Sequence, residues 1–313
     1  MPRPVDTTIY ILSGPTAVGK TELALSWAEM FGAEIISCDS LLFYRGMDIG
    51  TAKPTRAELA RVPHHLIDIC EVGERMDITR YVAKAREAVV TIFGRGNRVL
   101  VTGGSGFYLK SFFAPVADDL AVSDSLRTAI ADQLAASGLP ALVDELRRLN
   151  PGGIGPLDTA NPRRVVRALE RCRASGRTLA ELADAFSRQK SPFSEWPTQL
   201  TLLERESAEL AARVSARVQT MIGAGLVDEV RKLIPKGLRE NPSASRAIGY
   251  RETIAMLAGE LSPAELTPLI IKNTQALVKK QRTWFRTQVR AQRSLAANTT
   301  PAADLFNLER FNT

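Results

Sequence analysis

The spacing of apolar and polar positions divides the chain into three stretches of different character. Residues 7–13 (TTIYILS) form a short β-branched and apolar run ending in a Gly-Pro turn, the pattern of a buried strand. Residues 21–31 then place Leu23, Ala24, Trp27, Ala28 and Phe31 on one side of a helix. AEIISCDS predicts a second strand ending at Asp39, and HHLIDIC and NRVLVTGGSG predict two more, separated by a helical stretch over residues 79–93. Strands alternating with helices predict a parallel sheet of the α/β class.

After FFAPVADDL the pattern changes. Residues 123–187 read as helix, rich in Ala, Leu and Arg, with breaks at SGLP and NPGGIGP. SPFSEWP closes this segment, and TQLTLLE (residues 198–204) returns as a strand. Residues 207–295 again predict helix, interrupted by PKGLRENPSASRAIGY. The simplest organisation is an α/β core with an inserted all-helical domain. Residues 1–117 begin the core, 118–197 form the insertion, and 198–313 complete the core and add basic C-terminal helices.

Composition narrows the function classes. The 313 residues are 45% hydrophobic and 24% charged, ordinary for a soluble globular protein. No apolar run reaches the length of a membrane span, and the N-terminus enters its first strand with no space for a signal peptide. Cys38, Cys70 and Cys172 are far apart, and His64 and His65 are the two histidines, so a zinc site or disulfide framework is not expected. A reducing, cytoplasmic location fits this usage. Net charge is +7, from 41 Lys and Arg against 34 Asp and Glu. Every charged residue from Lys272 to Arg293 is basic, which reads either as a solvated helix face or as a surface for a polyanion.

The strongest chemical signal is G-x-x-x-x-G-K-T: Gly14, Pro15, Thr16, Ala17, Val18, Gly19, Lys20 and Thr21. A strand precedes it and a helix follows, as a phosphate-binding P-loop requires. Its glycines turn backbone N–H groups toward phosphate oxygens, Lys20 adds charge, and Thr21 can offer its hydroxyl to Mg²⁺. The core is therefore expected to be P-loop NTPase-like. The motif alone suggests ATP. However, NRVLV ends in Thr102, Gly103, Gly104 and Ser105, where a triphosphatase usually has a magnesium-holding Asp. Asp39 lies at the carboxyl end of the second strand, where open parallel sheets bind ligands. It reads either as a turn cap or as a carboxylate able to take a proton from a nucleophile. Arg213 and Arg217, one helical turn apart, read as a surface pair or as a cationic clamp.

GPTAVGKT, DSLLFYRGMDIGTAKP, PHHLIDI, GGSGFYLK, NPRRVVRALE, GLVDEV, RAIGYRE and KKQRTWFR occur in this order. With them the chain resembles the bacterial tRNA dimethylallyltransferases (tRNA isopentenyltransferases, the IPP transferase family) from about residue 11 to 286. The resemblance implies transfer of a dimethylallyl group from its diphosphate to N6 of the adenosine just 3′ of the anticodon, with release of pyrophosphate. It implies catalytic roles for Asp39, Thr16, Lys20 and Arg217, with Thr16 near the bridging oxygen and Mg²⁺ as cofactor. Of the two arginines it favours Arg217 over Arg213 for the pyrophosphate.

For tRNA the resemblance implicates Asp39, Ser40, Leu41 and Leu42, together with Ser105 and Arg127. It adds Arg163, Arg164, Val165, Val166 and Arg167, then Ser245, Arg246, Ala247, Ile248, Gly249 and Tyr250. Finally it implicates Lys279, Lys280, Gln281, Arg282 and Arg286. Spacing supports the last group independently, since Lys279, Arg282, Arg286, Arg290 and Arg293 fall on one side of a continuous helix. The target base must leave its stack to reach a buried diphosphate. The expected partners are tRNA and dimethylallyl diphosphate, with no membrane and no obligate protein partner, so a monomer is expected. A small-molecule P-loop kinase explains the loop and Asp39 but not the basic segment. A non-catalytic RNA-binding nucleotide switch and a prenyltransferase acting on free adenine nucleotides are the other readings; the long insertion argues against the last.

Overall fold

β1 (Ile9–Ser13) is buried along its whole length, because both faces of a central parallel strand are covered and require an unbroken apolar run. A computed structural model describes residues 6–117 and 120–308 of the chain. From β1 the chain continues through α1 (Lys20–Phe31), β2 (Ala33–Ser37), α2 (Arg56–Leu59), β3 (His64–His65), α3 (Ile78–Gly94), β4 (Arg98–Gly103) and α4 (Gly106–Lys110). Three helices follow: α5 (Asp124–Leu149), α6 (Pro162–Ser175) and α7 (Leu179–Ser187). The sheet resumes with β5 (Thr198–Glu204). Then come α8 (Ser207–Gly223), α9 (Leu226–Leu233), α10 (Pro242–Ser245), α11 (Tyr250–Leu257), α12 (Pro263–Gln288) and β6 (Arg293–Ala296).

The strands pair in parallel in the order β3-β2-β4-β1-β5-β6, an α/β fold as expected. β1 therefore lies between β4 and β5, and the segments leaving the carboxyl ends of β1, β2 and β4 emerge along one rim. That rim carries the P-loop, Asp39 and the Gly103–Gly104 turn. Beneath it, Trp27 and Tyr10 pack at 5.0 Å, and Phe306 closes on both rings at 5.0 Å from near the C-terminus.

Contacts divide the chain into two compact units, Met1–Ala114 with Pro192–Thr313, and Pro115–Ser191. The second boundary falls before residue 198 because Phe193 is fully buried in the core of the larger unit, stacked on Phe112 at 4.2 Å. The boundary expected after residue 117 adjoins residues 118 and 119, which lie outside the described residues. The smaller unit has its own core, built on Ile130, Leu142, Leu146, Val165 and Leu169. Its α5 breaks at Gly138, φ 72°, in the SGLP stretch. Buried Asn150 ties α5 to α7, its Nδ2 donating to the Leu146 carbonyl (2.7 Å) and its Oδ1 accepting from Leu179 N (2.6 Å).

Two expectations need correction. HHLIDIC supplies only the two-residue β3, because Leu66 and Asp68 turn with φ 62° and 54° and end the strand. The continuous basic helix also ends early. Val289 is extended, and residues 293–296 pair with β5 as β6. Edge pairing satisfies backbone groups of β5 that a longer helix would leave open. Arg290 thus lies beyond α12, and Arg293, on the strand, donates to the Asp304 carbonyl at 2.6 Å. Among the described residues no helix is long and apolar enough to cross a membrane.

Candidate active site

The P-loop takes its shape from backbone conformations that few residues adopt. Gly14 has φ 151°, and a Cβ there would lie 2.6 Å from the Leu203 carbonyl oxygen of β5. Ala17 is left-handed at φ 65°, a cost that a non-glycine residue bears where the surroundings enforce it. Two arginines following β5 hold the loop through its carbonyls. Arg205 Nε donates to the Val18 carbonyl (3.0 Å) and Arg213 Nε to the Ala17 carbonyl (2.7 Å). Arg205 went unnoticed in the sequence; its only signal was its position just beyond a strand.

The loop opens onto a cavity of about 520 Å³. Thr16, Lys20 and Thr21 of the loop line it together with Asp39, Leu42, Thr51, Arg213 and Arg217, and Gly103 and Gly104 complete the wall. Lys20 Nζ donates to the carbonyls of Gly14 (2.8 Å) and Pro15 (2.9 Å). Burial pulls its pKa down to about 8; nearby Arg217 adds to this and the Asp39 charge opposes it. Burial likewise lowers Arg217 from its ordinary value, against the pull of Asp39. Arg217 Nη2 donates to the Thr51 carbonyl at 2.9 Å. Two cations in one poorly hydrated cavity raise each other's cost, and a polyanion between them would relieve it.

Asp39 sits two residues beyond the end of β2. Its Oδ1 accepts from Leu41 N at 3.1 Å, so the turn-capping role is real, and it shares the cavity with both cations. Ser105, the cap residue of α4, accepts the Ser40 N–H at 2.9 Å and joins the β4 turn to the Asp39 segment. Gly103 allows this approach: a Cβ there would lie 2.1 Å from the Cys38 carbonyl oxygen. Gln281, on α12, accepts the Thr16 N–H at 2.9 Å and donates to the Gly104 carbonyl at 3.0 Å. Expected as an RNA contact, this side chain is engaged within the fold.

The other expected RNA residues separate by exposure. In the smaller unit Arg163, Arg164 and Arg167 are exposed, and Arg127 pairs with Asp124 at 3.2 Å on an open surface. Val165 is fully buried and Val166 packs against the same core, so they hold α6 in place rather than face outward. In the larger unit Lys279, Lys280, Arg282 and Arg286 are exposed on α12 while Val278 and Phe285 are buried opposite them. Arg246 is exposed and Ser245 half-buried, but Ala247 and Ile248 pack on the core and Gly249 is buried. Tyr250 is also buried, with its hydroxyl donating to Glu229 at 2.6 Å. Its side chain is internal, which corrects the expectation of an RNA contact.

Among the described residues no cluster of three or more His, Cys, Asp or Glu is placed to hold a metal ion. The cavity does offer the Thr21 hydroxyl and the Asp39 carboxylate. A sparse, all-oxygen donor set suits Mg²⁺, which keeps waters and shares substrate phosphates rather than occupying a protein cage.

The family model described as IPP transferase matches residues 42–288. The chain belongs to the IPP transferase family. An Opitutus terrae protein named tRNA dimethylallyltransferase is 62% identical to it over 300 residues, covering 96% of each chain. A protein of the same name from Geobacter metallireducens is 40% identical over 280 residues, 90% of each chain. Among solved structures, the full-length tRNA isopentenylpyrophosphate transferase from Bacillus halodurans superposes with TM-score 0.67 at 32% identity, covering 93% of this chain and 90% of that one. A eukaryotic dimethylallyltransferase acting on tRNA shares the fold at TM-score 0.77 and 23% identity, covering 89% of this chain and 69% of its own. The IPP transferase match runs from the segment after β2 to the end of α12; the P-loop, α1, β2 and Asp39 precede it.

Proposed function

We propose that this IPP transferase moves a dimethylallyl group from dimethylallyl diphosphate to N6 of the adenosine just 3′ of the anticodon in tRNA, releasing pyrophosphate. One observation carries the reading: a single cavity is lined by a phosphate loop with Lys20, by Arg217 and by the Asp39 carboxylate. At the end of β4 it presents Thr102, Gly103 and Gly104. That arrangement suits an anion that leaves and a nucleophile that must lose a proton.

The loop N–H groups of Gly19, Lys20 and Thr21, with the Lys20 ammonium, Arg217 and Arg213, hold the diphosphate. They stabilise the charge that grows on it as the allylic carbon–oxygen bond breaks. Thr16 stands by the bridging oxygen. The adenine N6, a poor nucleophile because its lone pair is conjugated with the ring, is positioned over the same carbon. It forms the new carbon–nitrogen bond while its proton passes to Asp39 and then to solvent. Thr21 and the substrate phosphates would hold Mg²⁺, which supplies charge neutralisation to the departing pyrophosphate. The exposed cations of α12 follow the RNA backbone in this reading, as do Arg163, Arg164 and Arg167 of the helical unit. Their phosphate contacts place the RNA while the target base is drawn out of its stack. A cytoplasmic location belongs to the same proposal.

Product analysis tests it. An unmodified tRNA with adenosine beside the anticodon gains one dimethylallyl group; the same tRNA with guanosine there gains none. Equal modification of both would refute the assignment of the target base.

A further inference from the structure

Glu229, on α9, is buried, yet its carboxylate lies in none of the chemistry described above. Its Oε2 accepts the backbone N–H groups of Asp48 (2.9 Å) and Ile49 (2.6 Å), and its Oε1 accepts those of Gly50 (3.1 Å) and the Tyr250 hydroxyl (2.6 Å). Three consecutive backbone donors converging on one carboxylate form an anion nest whose anion is supplied by the protein itself. Tyr250 also packs closely on the loop, since a Cβ on Gly50 would meet its ring at 2.6 Å. Burial and the neighbouring Glu229 push the Tyr250 phenol well up, which keeps it protonated as a donor.

This loop reaches the cavity at the next residue. Ala52 is left-handed at φ 48°, and both Thr51 and Ala52 line the wall. The Thr51 carbonyl accepts from Arg217 at 2.9 Å. Lys53, its side chain also buried, fastens the loop to the Tyr44 carbonyl (2.9 Å), to Asp48 (2.6 Å) and to Asp68 (2.5 Å). A backbone carbonyl can aim a guanidinium only if its own peptide is fixed. Here one buried carboxylate takes all three consecutive N–H groups of the 48–50 turn that leads into that peptide.

We infer that Glu229 is a positioning residue for the diphosphate clamp, holding the 48–50 turn so that the Thr51 carbonyl aims Arg217 into the cavity. The inference rests on the prenyl-transfer reading and assigns a task to GLVDEV and RAIGYRE that does not involve RNA. Replacing the carboxylate leaves buried N–H donors without an acceptor, and the turn must re-form to satisfy them. Arg217 then loses its orientation while the RNA-facing surfaces are unchanged.

The test is a double-mutant cycle. Glu229→Gln and Tyr250→Phe are each made in the wild-type and Arg217→Ala backgrounds, with KM for dimethylallyl diphosphate, KM for tRNA, kcat and pyrophosphate affinity measured throughout. Glu229→Gln should lower pyrophosphate affinity and kcat/KM for the diphosphate about tenfold to a hundredfold, leaving the tRNA KM unchanged. In the Arg217→Ala background the same change should cost less than about twofold, because the residue it acts through is gone. Losses that multiply in that background, or that fall on tRNA binding, overturn the inference. If Glu229→Gln does not fold, Tyr250→Phe, which removes one hydrogen bond, must show a smaller loss with the same background dependence. Its independence of Arg217 overturns the inference equally. Wild-type protein that fails to modify tRNA counts against prenyl transfer itself. Active wild type with multiplying losses counts only against the role of Glu229.

Discussion

The Gln281 amide accepts the Thr16 backbone N–H at 2.9 Å and donates to the Gly104 carbonyl at 3.0 Å, joining two loops from a helix far away in sequence. The helix that carries exposed lysines thus also braces the phosphate loop from behind. Gln281→Ala is expected to raise the KM for dimethylallyl diphosphate about tenfold, the equivalent of one lost hydrogen bond of about 1.4 kcal/mol. Steady-state kinetics with each substrate varied in turn checks this. A rise confined to the tRNA KM would make Gln281 an RNA contact instead.

Arg217 and Arg213 differ in what holds them. Arg217 is half-buried and donates to the Thr51 carbonyl in the cavity wall, whereas Arg213 is exposed and spends its Nε on the loop carbonyl of Ala17. Arg217→Ala should therefore lower kcat/KM for the diphosphate by about a hundredfold, and Arg213→Ala by about tenfold. Pyrophosphate binding measured by calorimetry on both variants should give the same order.

The surface of α12 predicts a different signature. Lys279 and Lys280 are exposed on the side opposite Val278 and Phe285. Replacing both with alanine should weaken tRNA binding and reduce the slope of log affinity against log salt by about one to two, while leaving pyrophosphate affinity intact. Filter binding over a salt series gives the slope directly.

Glu34 provides a pH test of the fold that supports the site. Burial alone would raise its pKa. Hydrogen bonds from Asn97 (2.8 Å), His65 (2.7 Å) and Arg95 (2.7 and 3.0 Å) outweigh burial and hold the carboxyl below its ordinary value. A carboxyl lowered by folding contributes stability above its unfolded pKa, and that stability is lost as pH falls through the folded value. Glu34→Gln should cost about 2 kcal/mol at pH 7. Urea unfolding at a series of pH values should show the difference from wild type shrinking as the solution is acidified below the ordinary carboxylate range.

Much of the sheet could be read from local pattern. β1 and α1 announce themselves because a β-branched run, a G-x-x-x-x-G-K-T turn and an apolar helical stripe follow one another. β5 covers the residues its apolar run predicted, Thr198–Glu204. β6 could not be read this way: the segment after α12 has helical composition and becomes a strand because the edge of β5 needs a partner, a demand made by residues about ninety positions earlier. The cavity was legible where side chains do the chemistry, at Lys20, Asp39 and Arg217. It was not legible where backbone does the work. The Thr51 carbonyl that aims Arg217, and the N–H groups that bind Glu229, leave no mark in residue identity. Val165 and Tyr250 illustrate the converse: motif membership placed them among RNA contacts, and burial makes them core.

The central claim is that the phosphate loop holds a group that leaves while carbon goes to RNA. The most direct measurement follows both halves of dimethylallyl diphosphate in one reaction with Mg²⁺, unmodified tRNA and ATP present. Prenylated adenosine in the tRNA and free pyrophosphate are expected in equal amounts, with ATP unchanged. Phosphoryl transfer from ATP, with no carbon entering the tRNA, would contradict that claim.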